Sequence, residues 1–414
     1  MSKVIYLTCI ENILFSGVLR GQVVELLKAL KKNAAAFDIT LVSLIPVHNY
    51  LKYRRRRKQL KAEFIARGLR FIAVPLLFLT RDFYIRRWLL PLYLVQALPI
   101  FIAILMAIRP QLVHARSYPA SLIAALVKKI SGATLIFDMK GLYVDEALMT
   151  HQFNAGSGNE KMWRAIENYI IARSDLVVGV SPAFKTFLGK RLGDTAFDVI
   201  PCSVDDAEFR IDERARLQRR AELKLDERWI IVVSGSLGAW SAVRTIVNIF
   251  EQLRSIDQRA FLLILTQTVD PSIETSLLQL GRENFAVLNL APEDVPGTLS
   301  VGDLALLVRE RSIVNDVGLT VKFGEYLSSG VPVIVTETAG DAARLVNAYQ
   351  CGIVIKDELD VEFKSAVNRL ISFKEMYRQN GLRLVEEYLS LRAIARRVNE
   401  LYVRLLCASS KENL

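Results

Sequence analysis

The stretch Leu304–Thr336, LALLVRERSIVNDVGLTVKFGEYLSSGVPVIVT, decides the fold of this chain. Leu304–Val308 is a short unbroken apolar run, the pattern of a parallel strand buried on both faces. A polar loop follows, then a short helix ended by Gly330, then a second apolar run, Val331–Thr336. Strand, loop, helix and strand make up the repeating unit of a doubly wound α/β sheet. Lys322 falls in the first turn of the helix, where a cation opposes the macrodipole unless an anion is held at that end. Arg309 falls at the C-terminal end of a strand, where open α/β sheets bind ligands. Glu325, one turn after Lys322, is placed to accept hydrogen bonds from ribose hydroxyls. The bland alternative is a plain Lys322–Glu325 surface pair, worth about a few tenths of a kcal/mol.

The same alternation extends in both directions. Upstream, Val4–Thr8 reads as a buried first strand. Glu11 breaks the apolar run there, and no cleavage site follows, so the stretch does not read as a signal peptide. A loop with Ser16 and Gly17 leads to a helix near Arg20–Leu30. Strands are expected at Ile39–Ile45, Gln111–Ala115, Thr134–Asp138, Leu176–Val180 and Asp198–Pro201, with a helix at Ala120–Lys129. Ser203–Arg228 is polar, a linker with a short helix. The pattern then restarts with strands at Trp229–Ser234, Phe261–Thr266 and Ala286–Leu288 and a helix at Val243–Leu253. Near the end, Leu391, Ile394, Ala395, Val398, Leu401, Tyr402, Leu405 and Leu406 form one apolar helical stripe that must dock on something. A chain of 414 residues is too long for one ordinary core, so two Rossmann-like α/β domains are expected.

Gly235-Ser236-Leu237-Gly238 follows a strand and opens toward a helix, so its backbone can approach a diphosphate. The third glycine of a dinucleotide fingerprint is absent, because Trp240 and Ser241 occupy that region. A dehydrogenase is therefore not expected. No D-x-D triplet occurs, and His48, His114 and His151 are the only histidines, so no metal site is expected. Cys9, Cys202, Cys351 and Cys407 lie far apart with no CxxC pair, which fits a reducing cytosol.

The net charge of +11 is uneven. Tyr50–Arg70 carries nine basic residues and one acid, Glu63. Such a patch meets an anionic partner or is a solvated face. It lacks the interleaved aromatics that stack bases, so nucleic acid is not expected. Trp88–Ile108 is the most apolar stretch, close in length to the roughly 20 residues that span a bilayer. Pro91, Gln96 and Pro99 weaken a span. A buried core helix, an interfacial helix and a true span remain open, in that order. The basic residues Arg54–Lys58, Arg81, Arg86 and Arg87 favour peripheral contact with an anionic membrane, at about 1 kcal/mol each near the surface.

Here the sequence resembles a known family. Glu325 with Gly330-Val331-Pro332-Val333-Ile334 is similar to the second half of the E-x7-E helix and G-x-P-V-V turn of glycosyltransferase family 4. That is the retaining, group 1 family with the GT-B fold. Its first glutamate would fall at Val317. Arg309, Glu310, Ser312, Val314, Asn315, Lys322, Phe323, Glu325, Tyr326 and Leu327 instead resemble a variant branch without it. SGVLRGQVVELLKAL, HARSYPASLIAAL, FDMKGLYVDE, ARSDLVVGVSPAFKTFL with VIPCSVDDAEF, and SGSLGAW resemble further family segments in order, over nearly the whole chain.

The resemblance implies two Rossmann-like domains facing each other across a cleft. An acceptor domain over 1–205 precedes a donor domain over 206–390, and a helix over 391–414 returns toward the first domain. It implies that Glu325 binds the donor ribose, that Arg309 and Lys322 neutralise the diphosphate, and that Gly17, Gly235, Ser236 and Asn315 line the nucleotide-sugar site. Family members often carry an Arg and a Lys just after the second glycine turn. Here Ser236 stands at the Arg position, and Arg244 is a substitute to consider. His114, Asp138 and Lys140, with Arg116 and Glu146, are candidates to position the acceptor. His114 could equally be a satisfied core histidine, and Asp138 a cap.

The expected function is metal-free, retaining transfer of a sugar from a nucleotide-sugar donor to a glycan or lipid-linked acceptor in bacterial surface polysaccharide synthesis. A dianionic diphosphate would depart, stabilised by charge and orientation. No cofactor beyond the donor substrate is implied. The expected location is the cytoplasm, peripheral on the inner face of the membrane. A sugar-nucleotide epimerase of the same fold, and a non-catalytic partner in a polysaccharide assembly complex, are the alternatives.

Overall fold

The structure is a computed structural model that describes residues 1–11, 13–14, 17–33, 37–77, 86–238, 240–267, 271–356 and 361–411. Ser16 and Arg81, singled out above, lie outside the described residues. The chain divides into two compact units, Met1–Pro201 with Ile394–Leu414, and Cys202–Ala393.

The first unit is built on a seven-stranded, wholly parallel sheet. Its strands are β1 (Ser2–Cys9), β2 (Phe37–Pro46), β3 (Arg70–Leu76), β4 (Leu112–Arg116), β5 (Thr134–Asp138), β6 (Leu176–Gly179) and β7 (Ala196–Val199), in the order β3-β2-β1-β4-β5-β6-β7. The central strands are mostly apolar because helices cover both faces, and their polar residues, among them His114, Arg116 and Asp138, are themselves buried. Val4, Ile5 and Leu7 are fully buried, as are Leu41, Val42, Leu44 and Ile45. The order reverses between β1 and β4, so the crevice beyond their C-terminal ends is where such a sheet takes a ligand. The helical segment after β1, residues 17–33, contains a π-helical stretch, Arg20–Glu25.

The second unit repeats this plan with six parallel strands. These are β8 (Trp229–Ser234), β9 (Ala260–Leu265), β10 (Phe285–Leu288), β11 (Leu304–Leu307), β12 (Val333–Thr336) and β13 (Gly352–Ile355), in the order β10-β9-β8-β11-β12-β13. Its reversal lies between β8 and β11. The segments by which the chain enters and leaves this unit are tied together by an isolated bridge. The Val204 N–H donates to the Leu389 carbonyl (2.9 Å), and the Leu391 N–H donates to the Val204 carbonyl (3.1 Å).

The final helix, Leu391–Lys411, belongs from Ile394 onward to the first unit. Ile394, Ala395, Val398, Leu401 and Tyr402 are buried, and the Tyr402 ring meets Phe37 edge-on at 5.6 Å. The basic stretch forms a helix, Arg54–Ile65, which packs on β3. The apolar stretch forms a helix, Leu89–Ile108, stopped by Arg109 in the left-handed region (φ +52°).

Candidate active site

In the second unit the site grows from the ends of β8 and β11. β8 runs into Gly235, whose φ of +117° is open to glycine and strained for a side chain. β11 runs through Val308 into Arg309. The backbone of Arg309 is fixed at both polar atoms. Its N–H donates to Thr336 Oγ1 (3.0 Å), and its carbonyl accepts from Thr338 Oγ1 (2.6 Å). Among the described residues, no carboxylate pairs with its guanidinium. Burial depresses its pKa from the ordinary value, and only Tyr326 opposes that. A guanidinium in protein remains charged, so a half-buried cation stands at the switch point with no counter-ion among the described residues.

The helix Val321–Ser328 lies over this point. Thr320 caps it, accepting the Lys322 N–H at 3.4 Å. Gly330 ends it at φ +72°, and a Cβ there would come within 2.7 Å of the Ile211 side chain. Tyr326, fully buried, pins the helix to β8 because its hydroxyl accepts the Ser234 N–H at 2.7 Å. The Lys322 stem passes over Gly235, its carbons 3.5–3.9 Å from where a Cβ would sit. Lys322 Nζ lies 2.7 Å from Glu325 Oε2, with the two side chains 21% and 10% exposed. The plain pair considered above therefore forms, but at the switch point and largely shielded from solvent.

The other residues named from sequence take different places. Asn315 is buried and acts as a brace. Its Nδ2 donates to the carbonyls of Trp240 (3.2 Å) and Glu310 (2.8 Å), joining the glycine turn to the loop after β11. Ser236 is exposed, and its carbonyl accepts from Ser241 Oγ at 3.3 Å. Arg244 is exposed in the first turn of the helix Val243–Ile256. Val317, at the position of the missing glutamate, is 3% exposed and leaves that point without a carboxylate.

In the first unit, β4 and β5 bring His114, Arg116 and Asp138 together beside Tyr6 of β1, all 3% exposed or less. Gly17 begins the helical segment after β1, and Gln22 in its π-helical stretch accepts from Arg116 Nη2 at 2.8 Å. Arg116 Nε lies 3.3 Å from Glu11 Oε2. Lys140, 16% exposed, is the outer member, its Nζ 3.2 Å from Asp138 Oδ1. Burial alone would raise the Asp138 pKa, but Lys140, His114 and Arg116 outweigh it and hold the carboxyl well below its ordinary range. Burial lowers the His114 pKa despite Asp138, so the ring is neutral near pH 7. Its Nε2 faces the Asp138 carboxylate at 3.3 Å, which favours the proton on Nε2. Nδ1 then accepts the Tyr402 O–H at 2.8 Å.

Among the described residues, Glu11 Oε2, His114 Nε2, Arg116 Nε and Nη1, and Asp138 Oδ1 are buried without an aligned hydrogen bond. Glu146, beyond Lys140, is held above the usual carboxyl range, mainly by burial and then by Asp145. It lies against Gly141, where a Cβ would come within 2.2 Å of its Oε1. Sequence reasoning missed Glu11, Gln22 and Tyr402. Tyr402 lies far along the chain, and only its place on the apolar stripe marked it. Among the described residues, no group of three or more His, Cys, Asp or Glu could hold a metal ion.

Residues 22–208 match the Glycosyltransferase Family 4 model, and residues 228–372 match that of Glycosyl transferases group 1. This chain is a glycosyltransferase of the family 4/group 1 type. No curated protein matches it in sequence. Solved structures share the fold of this glycosyltransferase over almost its full length. HepE from Anabaena, in complex with UDP, has a TM-score of 0.67 at 13% identity, covering 98% of this chain and 100% of that one. Sucrose-phosphate synthase from Thermosynechococcus elongatus has a TM-score of 0.69 at 16% identity, covering 99% and 100%. A glycosyltransferase from Rickettsia africae has a TM-score of 0.69 at 14% identity, covering 98% of each chain. These are GT-B enzymes, and both parallel sheets of the present glycosyltransferase are Rossmann-like in that sense.

Proposed function

We propose that the enzyme transfers a sugar from a nucleoside diphosphate sugar to a glycan or lipid-linked acceptor, with retention of configuration and without a metal, in bacterial surface polysaccharide synthesis at the cytoplasmic side of the membrane. The observation that carries this reading is Arg309, a half-buried cation at the β8/β11 switch point that pairs with no carboxylate among the described residues. The donor diphosphate completes its ion pairing. Lys322 turns from Glu325 to the same phosphates, at the N-terminal end of a helix that already favours an anion. Glu325, released, accepts from the ribose hydroxyls. The leaving diphosphate is then stabilised by groups fixed beforehand, which is where electrostatic catalysis gains most. HepE, which shares the fold, is solved with UDP-glucose in one structure, and this supports a sugar nucleotide as donor.

In the first unit, Lys140 and Glu146 are the acceptor-facing candidates. His114 and Asp138 act behind them as positioning groups. Incubating the enzyme with EDTA, each nucleotide sugar and a lipid-linked acceptor tests the reading. The account expects nucleoside diphosphate release coupled to a product whose anomeric proton shows the donor's configuration by NMR. Release of a free epimerised sugar with no product on the acceptor would replace transfer with epimerisation.

A further inference from the structure

Two features of the first unit take no part in the sites above, and both reach the same edge strand. The helix Leu89–Ile108 has no charged residue along its 20 positions, yet only 28% of its most apolar window is buried. One stripe, Leu89, Tyr93, Ala97, Phe101 and Leu105, packs inward. The outward stripe is Val95, Pro99, Ala103 and Met106, with Val95 73% and Met106 68% exposed. Trp88, 63% exposed, stands at its start. A helix that is apolar all round is ordinarily buried in a core or in lipid.

The helix Arg54–Ile65 is the other feature. Arg54, Arg55, Lys58 and Lys61 are exposed, and among the described residues none has a carboxylate partner. The one acid on that helix, Glu63, is taken by Lys28 (2.7 Å) and Arg20 (3.6 Å). Exposed Leu51 and Ile65 flank these cations. Both helices pack on β3, the edge of the sheet.

We propose that the β3 edge of the first unit lies on an anionic bilayer, with the helix Leu89–Ile108 in the plane of the interface. Its outward stripe enters the acyl boundary, and Arg54, Arg55, Lys58 and Lys61 meet headgroup phosphates. Unpartnered positive charge on one helix and an uncharged apolar face on another, flanking the same edge strand, with a tryptophan at the apolar helix's end, is the chemistry of an anionic lipid surface. The helix does not span. Its inner stripe belongs to the domain core, the Tyr93 hydroxyl donates to the Pro119 carbonyl (2.8 Å), and Gln96 Oε1 accepts the Leu77 N–H (2.8 Å). The helix also leads directly into β4 at the centre of the sheet.

The test is co-sedimentation of the full chain with vesicles of phosphatidylcholine alone or mixed with phosphatidylglycerol. Binding is expected on the anionic vesicles and is expected to weaken as salt rises. Each basic residue contributes roughly a five-fold factor, so changing Arg54, Arg55, Lys58 and Lys61 together to Gln should lower partitioning by about two orders of magnitude or more. Val95→Glu with Met106→Glu, both at exposed positions, should abolish binding. Unchanged stabilisation by nucleoside diphosphate in both variants would show that the fold and donor site are intact. A chain that stays in the supernatant with both vesicle types, or that binds both equally, overturns the proposal. So does a lipid-free dimer that Val95→Glu dissociates, because the face then belongs to a second copy.

Discussion

Arg309 was legible in the sequence as a cation at a strand end, and the structure shows what sequence could not, that no carboxylate among the described residues answers it. Replacing it with Ala removes the main charge that the proposed donor site offers a diphosphate. A buried charge-assisted bond of this kind contributes about 2–5 kcal/mol, so nucleoside diphosphate affinity measured by calorimetry should fall by roughly 30-fold or more. His114 and Asp138 were named as candidates to position the acceptor, but their burial places them behind the surface. The signal that would have separated these roles is three-dimensional, since Tyr402 reaches His114 across 288 residues of chain.

His114 also gives a pH prediction, argued from its surroundings of Asp138, Arg116, Lys140, Tyr6 and Tyr402. Its folded pKa is lowered, so as pH falls below about 6.5 the unfolded chain takes up a proton first. Stability is then lost at up to about 1.4 kcal/mol per pH unit until the folded pKa is reached. Glu11 and Glu146, whose pKa values are raised by burial, act in the opposite sense as pH falls toward the ordinary carboxyl range. The measurement is therefore the difference in denaturant stability between wild type and His114→Gln across pH 5–7. The wild-type curve should fall more steeply toward acid. Parallel curves would show that His114 is not held neutral.

At the scale of elements, the central strands were readable because burial on both faces makes them continuous apolar runs. Thr134–Asp138 and Trp229–Ser234 begin and end where the pattern placed them. β3 and β13 were not read. Both are sheet edges with mixed burial, and β3 contains Pro75, which an edge tolerates. The decisive helix Val321–Ser328 was read from Lys322 and Gly330, but its anchor was not. Nothing in the spacing shows that Tyr326 accepts the Ser234 N–H. Tyr326→Phe leaves that N–H without its partner and should cost about 1–3 kcal/mol in chemical denaturation. It should also weaken nucleotide binding, because the helix loses its tie to the glycine turn. A variant of unchanged stability would mean that water replaces the hydroxyl there.

At the scale of the molecule, the two-unit plan followed from length and from the restart of the strand–helix pattern after Arg228. The apolar stripe of the last helix announced a docking partner, which only the family resemblance named, and from Ile394 onward the helix is part of the first unit. Ile394, Val398, Leu401 and Tyr402 each contribute roughly 1.5–3 kcal/mol on burial. Their sum is comparable with the ~5–15 kcal/mol that holds a domain folded. A chain truncated after Ala393 should therefore lose the first unit's thermal transition or become insoluble. A truncated chain that melts like the full one would show that the first unit does not need the helix.

The account turns on a donor site at the β8/β11 switch point. Its most direct test is thermal stability with UDP, GDP, CDP, dTDP and ADP, on the wild type and on Arg309→Ala, Lys322→Ala and Glu325→Ala. One nucleotide should stabilise the wild type by about 2.7 kcal/mol at 100 times its dissociation constant. The same nucleotide should do little for Arg309→Ala. Equal stabilisation of wild type and all three variants would contradict the account, because the nucleotide would then bind somewhere else.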